Sequence, residues 1–251
     1  MKLEFDTDAG IGTRAALGVI VLEADETLEP EFARMTRLDG VALHHSRIPM
    51  VSEIRPDTLA RMEADLPAAA RLLPAARDFD VIGYGCTSAA SVIGPERVAA
   101  AVQSVFPRAR VTDPLSAIIA AGRSLGARRL GFVTPYAPEV SLGMRQRLED
   151  AGFSIGGFGS FEESDDRVVA RISEASIRRA ALQVAAAAPC DAVVISCTNL
   201  RCLGVIPEIE AAAAVPVLAS TQALAWHMLR LAGCDDHLPG CGRLFESGLA
   251  G

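Results

Sequence analysis

The sequence has 251 residues, of which half are hydrophobic and 22% are charged, with a formal net charge of −7. That length accommodates one large domain or two small ones, and the acidic balance argues against a nucleic-acid partner, which would require a basic face. The N-terminus is acidic and no apolar run reaches the roughly 18 residues of a membrane span, so we expect a cytoplasmic protein with no signal peptide and no membrane partner.

Lysine is almost absent from the chain. Lys2 is the only one. Pyridoxal-phosphate enzymes need a lysine for their Schiff base and P-loop proteins need one for phosphate, so both classes are excluded. Cys234, His237 and Cys241 cluster near the C-terminus but lack the ligand pairs of a zinc signature. We therefore expect neither a cofactor nor a metal ion.

Strand and helix patterns alternate along the chain. Short apolar runs predict buried parallel strands in "LGVIVL" (17–22), "DVIGYG" (80–85), "LGFVTP" (130–135) and "DAVVIS" (191–196). The segments between them, such as "PDTLARMEADLPAAARLL" and "ISEASIRRAALQVAAAA", have helical period. This alternation predicts an α/β fold with helices on both faces of a parallel sheet.

One phrase occurs twice in the chain, as "DVIGYGCTS" and as "DAVVISCTN". Cys86 and Cys197 are 111 positions apart, while Gly18 and Gly131, in the strands that open each half, are 113 apart. Two landmarks in register indicate an internal duplication. We therefore predict two pseudo-symmetric, Rossmann-like lobes, with an active site in the cleft between them.

Each cysteine follows a predicted central strand, at the strand end where open α/β sheets bind ligands. Thr87 and Ser88 follow the first cysteine, and Thr198 and Asn199 follow the second. A strand-to-helix corner presents free N–H groups and hydrogen-bonding side chains to a carboxylate. The partial positive charge at the helix end of such a corner should also lower the pKa of the thiol below about 8.5. Two facing corners would suit inversion of a carbon next to a carboxylate, with one sulfur as base and the other as acid.

These motifs, with "LGVIVLEADETLE" and "LGFVTPY", resemble the aspartate/glutamate/hydantoin racemase superfamily. The likeness is greatest to the branch that contains maleate cis–trans isomerase, arylmalonate decarboxylase and the ectoine-utilisation proteins. The resemblance implies that the C-terminal helix packs back on the first lobe. The lobes would then comprise residues 1–113 with 221–251, and residues 114–220.

The resemblance also implies roles for particular residues. Cys86 and Cys197 match the two catalytic cysteines of the racemases and of maleate isomerase, and Tyr136 matches a tyrosine that contacts the substrate carboxylate. Arylmalonate decarboxylases have glycine at the first cysteine position, so the presence of Cys86 argues against decarboxylation.

Two acidic residues depart from the maleate isomerase pattern, which has asparagine where this chain has Asp25 and Asp166. An ionised carboxylate repels a dianion by about 1 kcal/mol in water-like surroundings and by several in a drier cleft. The departure favours an amino-acid-like substrate over a simple diacid. Asp25 could equally be a helix N-cap, since "ADETLE" precedes a helical pattern.

The leading hypothesis is a cofactor-independent racemase or isomerase of a small carboxylate, either amino-acid-like or an unsaturated dicarboxylate, acting as a homo-oligomer (a dimer or a tetramer). Three alternatives stay open: an arylmalonate-type decarboxylase, a cysteine hydrolase or amidase, and a two-lobed small-carboxylate sensor. A hydrolase needs a histidine base, and none of the four histidines lies in a persuasive motif. His44 and His45 are adjacent in a strand-like segment, so their side chains should point to opposite faces and serve the structure.

Overall fold

The computed structural model describes residues 1–50 and 54–250. The first half of the chain contains, in order, β1 (Ala15–Leu22), α1 (Leu28–Thr36), β2 (Val41–Ile48), α2 (Pro56–Ala70), β3 (Val81–Gly85), α3 (Thr87–Ile93), α4 (Pro95–Gln103), β4 (Arg110–Thr112) and α5 (Pro114–Ser124). The second half contains β5 (Arg129–Thr134), α6 (Pro138–Asp150), β6 (Ser154–Ser160), α7 (Asp166–Val169), α8 (Glu174–Ala187), β7 (Ala192–Ile195), α9 (Ile206–Ala213), β8 (Val217–Ala219), α10 (Ser220–Leu231) and a 3₁₀ turn (Arg243–Glu246).

Two parallel sheets form the framework within these described residues. The first has the strand order β2-β1-β3-β4 and the second the equivalent order β6-β5-β7-β8. The α/β fold with two similar parallel sheets is therefore confirmed. In the central pairs, Leu17 aligns with Val81, and Leu130 aligns with Ala192. Because the two registers correspond residue by residue, the duplication extends to the pairing of the strands.

The aspartate of the repeated phrase has a structural role in both halves. Asp80 Oδ2 accepts a hydrogen bond of 2.8 Å from the amide of Ala16, at the start of β1. Asp191 Oδ2 accepts hydrogen bonds of 2.9 and 2.8 Å from the amides of Arg128 and Arg129, at the start of β5. Each carboxylate thus joins the beginnings of two neighbouring strands, which explains why the phrase begins with the same residue twice.

The C-terminal helix α10 packs against α1, α5 and β3. A side chain at position 83 would place its Cβ 2.5 Å from the Met228 sulfur, so any residue other than glycine would have to displace Met228 from its place between helix and strand. Residues on α10 therefore lie against the first sheet, although the helix directly follows β8 of the second. We keep the division into residues 1–113 with 221–251 and residues 114–220 as a proposal.

None of the helices in the described part of the chain is both long and apolar enough to cross a membrane.

Candidate active site

The two cysteine motifs form two corners at the carboxyl ends of central strands. The first corner, Cys86–Ser88, follows β3 directly, and Cys86 is the N-cap of α3. The second corner, Cys197–Asn199, lies just beyond β7, and the chain continues through turns before α9 begins at Ile206. Only the first corner is therefore the strand-to-helix junction that we expected.

Three hydrogen bonds tie the corners to each other. The Thr198 hydroxyl donates to the carbonyl oxygen of Gly85 over 3.1 Å. The Thr87 hydroxyl donates to Ser220 Oγ over 2.9 Å, and the amide of Cys197 donates to the same oxygen over 3.0 Å. The two corners thus lie against each other. The hydroxyls of Thr87 and Thr198, which we predicted to bind substrate, are engaged within the protein.

Tyr136 lies beyond the end of β5, buried beside both thiols. Burial raises the pKa of its hydroxyl well above the usual value, and the negative charge of an ionised Cys197, then of an ionised Cys86, raises it further. In return, the Tyr136 hydroxyl can donate to a Cys197 thiolate, which lowers the pKa of that thiol. The pKa of the Tyr136 hydroxyl therefore depends on the charge of both sulfurs.

The expected low thiol pKa is wrong for this structure. Burial raises the pKa of Cys86 to about 11, although Ser88 and the amide of Ala89 favour the thiolate. Burial, followed by the charge of Asp166, raises the pKa of Cys197 well above its usual value. The reason is that loss of water disfavours the charged form more than one helix end and a few donors favour it.

Asp166 and Asn199 join the site from the second half of the chain. Asn199 Nδ2 donates to Asp166 Oδ2 over 2.9 Å and to the Asp166 carbonyl oxygen over 3.1 Å. Asn199 Oδ1 accepts from the amide of Glu26 over 3.0 Å, so this side chain connects α7 with the loop between β1 and α1. Burial, then the charge of Asp25, raises the pKa of Asp166 to about 7.

Asp25 has one satisfied and one unsatisfied oxygen. Oδ1 accepts the amides of Thr27 and Leu28, each over 2.8 Å, and so closes the turn before α1, although the N-cap itself is Thr27 and not Asp25. Oδ2 is buried and has no hydrogen-bond partner among the described residues, since the nearby Thr198 hydroxyl gives its hydrogen to Gly85. Burial raises the pKa of this carboxyl. Asp25 therefore shapes the turn that leads into α1 through Oδ1, while Oδ2 can still accept a hydrogen bond.

All nine predicted site residues are buried, and none is more than 3% exposed: Asp25, Cys86, Thr87, Ser88, Tyr136, Asp166, Cys197, Thr198 and Asn199. Contacts between the halves cover them. An ion pair of 2.8 Å joins Glu26 to Arg171, and the amide of Ile54 donates to the Ser164 carbonyl over 3.0 Å.

The histidines lie elsewhere. His44 and His45 are on β2, the edge strand of the first sheet, and the His44 ring packs edge-on against Phe79. His227 Nδ1 is 2.8 Å from the Thr112 hydroxyl, and burial lowers the pKa of this imidazole to about 4. Across residues 1–50 and 54–250, no group of three or more His, Cys, Asp and Glu side chains could hold a metal ion.

No pattern in the sequence points to Ser220, and for Arg47, in "HHSRIPM", the sequence predicts a carboxylate partner, belonging to the substrate or, more typically, to the protein itself. Arg47 Nη2 does pair with Glu29 over 3.0 Å, but Nη1 also donates to the carbonyl oxygens of Leu22, Glu23 and Asp25 at 3.0 to 3.1 Å. One nitrogen thus holds the loop that presents Asp25. Only the position of Arg47 at the end of β2, beside the end of β1, could have signalled this.

We expect Arg47→Met to lower kcat/KM by about 10-fold, because a loosened loop displaces the Asp25 carboxyl and small displacements of a site group are costly. Steady-state kinetics on any substrate of the wild type measures this. The matched control is Glu29→Gln, which removes the exposed ion pair and leaves the three carbonyl contacts; such pairs contribute little. Equal losses in both variants would contradict the role of the loop contacts.

Comparison with known proteins finds a family and relatives for this chain. The arylmalonate decarboxylase family profile matches residues 51–245. A maleate isomerase of Nocardia farcinica (strain IFM 10152) is 30% identical over 241 residues, covering 92% of this chain and 95% of the relative. An arylmalonate decarboxylase of Bordetella bronchiseptica is 32% identical over 137 residues, covering 54% of this chain and 57% of the relative.

A solved structure extends the likeness to the fold. It is a cysteine-to-serine variant of Nocardia farcinica maleate cis–trans isomerase with a covalently bound succinylcysteine intermediate, superposing with a TM-score of 0.81 at 28% identity. The match covers 92% of this chain and 98% of that one. The chain therefore belongs to the arylmalonate decarboxylase family, whose relatives here include maleate isomerases, and it is an enzyme of that family.

Proposed function

We propose that this protein is an isomerase of a small carboxylate, in which Cys86 and Cys197 act on the substrate from opposite sides. The observation that carries the proposal is the junction of the two corners: one oxygen, Ser220 Oγ, is bonded both to the residue after Cys86 and to the amide of Cys197. The resemblance implies that a decarboxylase of this family has glycine in place of the first cysteine and so keeps one thiol. A pair favours a reversible isomerisation.

The charges in the site favour a substrate that carries an ammonium or amide group beside its carboxylate. Asp25 and Asp166 are both buried, and each contributes to the pKa shift of the two thiols. The positive group that acts on Asp25, Arg47, is held by backbone carbonyls. When they are ionised, two buried carboxylates repel a dianion and attract the ammonium group of a zwitterion.

With an amino-acid-like substrate, the reaction is a racemisation. The thiolate of one cysteine takes the α-hydrogen as a proton, and the electron pair is delocalised into the carboxylate. The thiol of the other cysteine then returns a proton to the opposite face, so that the two sulfurs exchange protonation states and the cycle can run in reverse. Stepwise transfer between positioned acid and base groups of this kind needs no cofactor.

With an unsaturated dicarboxylate, the same residues support cis–trans isomerisation. The Cys86 thiolate forms a C–S bond to one alkene carbon, and the Cys197 thiol protonates the other. The resulting C–C single bond rotates, Cys197 takes the proton back, and the C–S bond breaks. The covalent succinylcysteine of the Nocardia relative supports this route as the alternative.

Heavy water separates the two reactions. We expect a panel of amino acids, hydantoins and unsaturated diacids, followed by NMR in D₂O, to show exchange of the α-hydrogen in an amino-acid-like compound. Intact-mass measurement during turnover distinguishes the second route, since it passes through a cysteine adduct. Failure of every compound in the panel to exchange or isomerise would contradict the proposal, as would turnover that survives loss of both thiols.

A further inference from the structure

Ser220 lies at the point where the two halves of the site meet. It is the first residue of α10, follows β8 directly and is fully buried. Its Oγ accepts the hydroxyl of Thr87 at 2.9 Å and the amide of Cys197 at 3.0 Å. Thr87 is the residue after Cys86, so one hydroxyl oxygen is bonded to both cysteine motifs.

A second link runs the other way. The Thr198 hydroxyl, in the second corner, donates to the carbonyl of Gly85, the residue before Cys86. Thr221, next to Ser220, donates to the Thr198 carbonyl over 3.1 Å, so α10 also holds the backbone of the second corner. Together these contacts leave the two cysteines little freedom to change their separation.

The backbone of Cys197 explains why this support matters. Its φ is +145°, a conformation that side chains rarely adopt, and it occurs here at a residue that we place in the chemistry. The amide of Cys197 donates to Ser220, while its sulfur accepts the amide of Asn199 at 3.3 Å. Without the bond to Ser220, the Cys197 amide would be buried without its acceptor, and the backbone would be free to relax.

We propose that Ser220 is a positioning residue that sets the separation and orientation of the Cys86 and Cys197 thiols by accepting hydrogen bonds from both corners. The expected effect of Ser220 on turnover rests on the proposed two-thiol function. Its effect on the position of the two cysteines follows from the hydrogen bonds alone. Ser220 itself takes no proton from the substrate.

The test is Ser220→Ala, with Ser196→Ala as its matched control. Ser196 is also a fully buried serine, adjacent to Cys197, but its hydroxyl points to the Met144 sulfur at 3.4 Å. We expect Ser220→Ala to lower kcat by about 10- to 100-fold, the scale on which a displacement of about 1 Å acts, with KM changed less than about 3-fold. The control should stay within about 2-fold in kcat. Ser220→Ala should melt at a lower temperature than the control, because it leaves the Cys197 amide and the Thr87 hydroxyl without their acceptor, so kcat is compared well below both melting temperatures.

A double-mutant cycle with Thr87→Val tests whether the two hydroxyls act through one bond. If they do, the double variant loses no more kcat than the worse single variant, whereas independent roles give additive losses. Additivity, or a Ser220→Ala variant that behaves like Ser196→Ala, would overturn the inference.

Alkylation provides a readout that needs no substrate. With iodoacetamide and peptide mass analysis, Cys197 should react several-fold faster in Ser220→Ala than in the wild type, because its loop is released. The half-buried Cys190 serves as an internal reference and should not change. If the wild type turns over nothing in the panel, the proposed function fails, and this rate still decides whether Ser220 holds the second corner.

Discussion

Replacing either Cys86 or Cys197 with alanine should reduce kcat by about 100- to 10,000-fold, the range that one positioned acid or base contributes to catalysis. Both proposed reactions need a sulfur on each side of the substrate, so both variants should lose activity to this extent. Cys190→Ala is the control, because this cysteine is only half buried and lies before β7, away from both corners. Steady-state rates of the three variants on the substrate found in the panel measure the effect.

The two-thiol mechanism also predicts how kcat/KM of the wild type depends on pH. Because burial raises the pKa of Cys86 to about 11 and raises that of Cys197 well above its usual value, the thiolate needed to start the reaction is scarce at neutral pH. We therefore expect kcat/KM to rise with pH from about 7 to 10, with no plateau near the ordinary thiol pKa of about 8.5. A Cys197→Ala variant that keeps more than a tenth of wild-type activity would contradict the two-thiol mechanism.

Much of the framework could be predicted from the sequence because its signals are local or repeated. The apolar runs that open the two halves became β1 and β5, and the repeated phrase ended at equivalent points of β3 and β7. The Asp-to-Cys spacing is the same in both copies because Asp80 and Asp191 bond the start of the neighbouring strand. That arrangement leaves the cysteine at the other end of the same strand.

The thiol environment could not be predicted, since it depends on burial rather than on neighbours in sequence. A cysteine at a helix N-terminus is usually acidified, yet Cys86 sits in a corner closed by the second half of the chain. The role of Ser220 could not be predicted from the sequence either. It lies 134 positions after Cys86 and contacts Thr87 only because α10 packs back onto the first sheet.

Asp25→Asn should change the substrate preference by at least about 10-fold in favour of an unsaturated dicarboxylate over an amino acid. The substitution removes a buried carboxyl whose Oδ2 has no partner among the described residues, and supplies an amide that can donate to a substrate carboxylate. The repulsion relieved is about 1 kcal/mol at 4 Å in water and about 4 kcal/mol at an effective dielectric constant of about 20, where about 1.4 kcal/mol corresponds to tenfold. Ratios of kcat/KM for maleate and for the preferred amino acid measure the change.

The sign of the pH dependence provides a second, independent measurement. Asp166, with a pKa of about 7, is neutral below that pH and negative above it. A dicarboxylate should therefore bind the wild type less tightly as pH rises through 7, while an ammonium-bearing ligand should bind more tightly. Since the charge of Asp25 contributes to the raised pKa of Asp166, the Asp25→Asn variant should show the same transition at lower pH. Calorimetric titration from pH 5 to 9 resolves both curves.

The control for this variant is Glu23→Gln, which removes the same charge from an exposed position in the same loop. Solvent screens that charge, so neither the preference nor the transition should move. If Asp25→Asn leaves the ratio unchanged, Asp25 serves only to begin α1 through its Oδ1 contacts with Thr27 and Leu28. If instead both ligands bind more weakly by the same factor, the carboxyl shapes the loop without selecting charge, and the amino-acid-like substrate loses its main physical support.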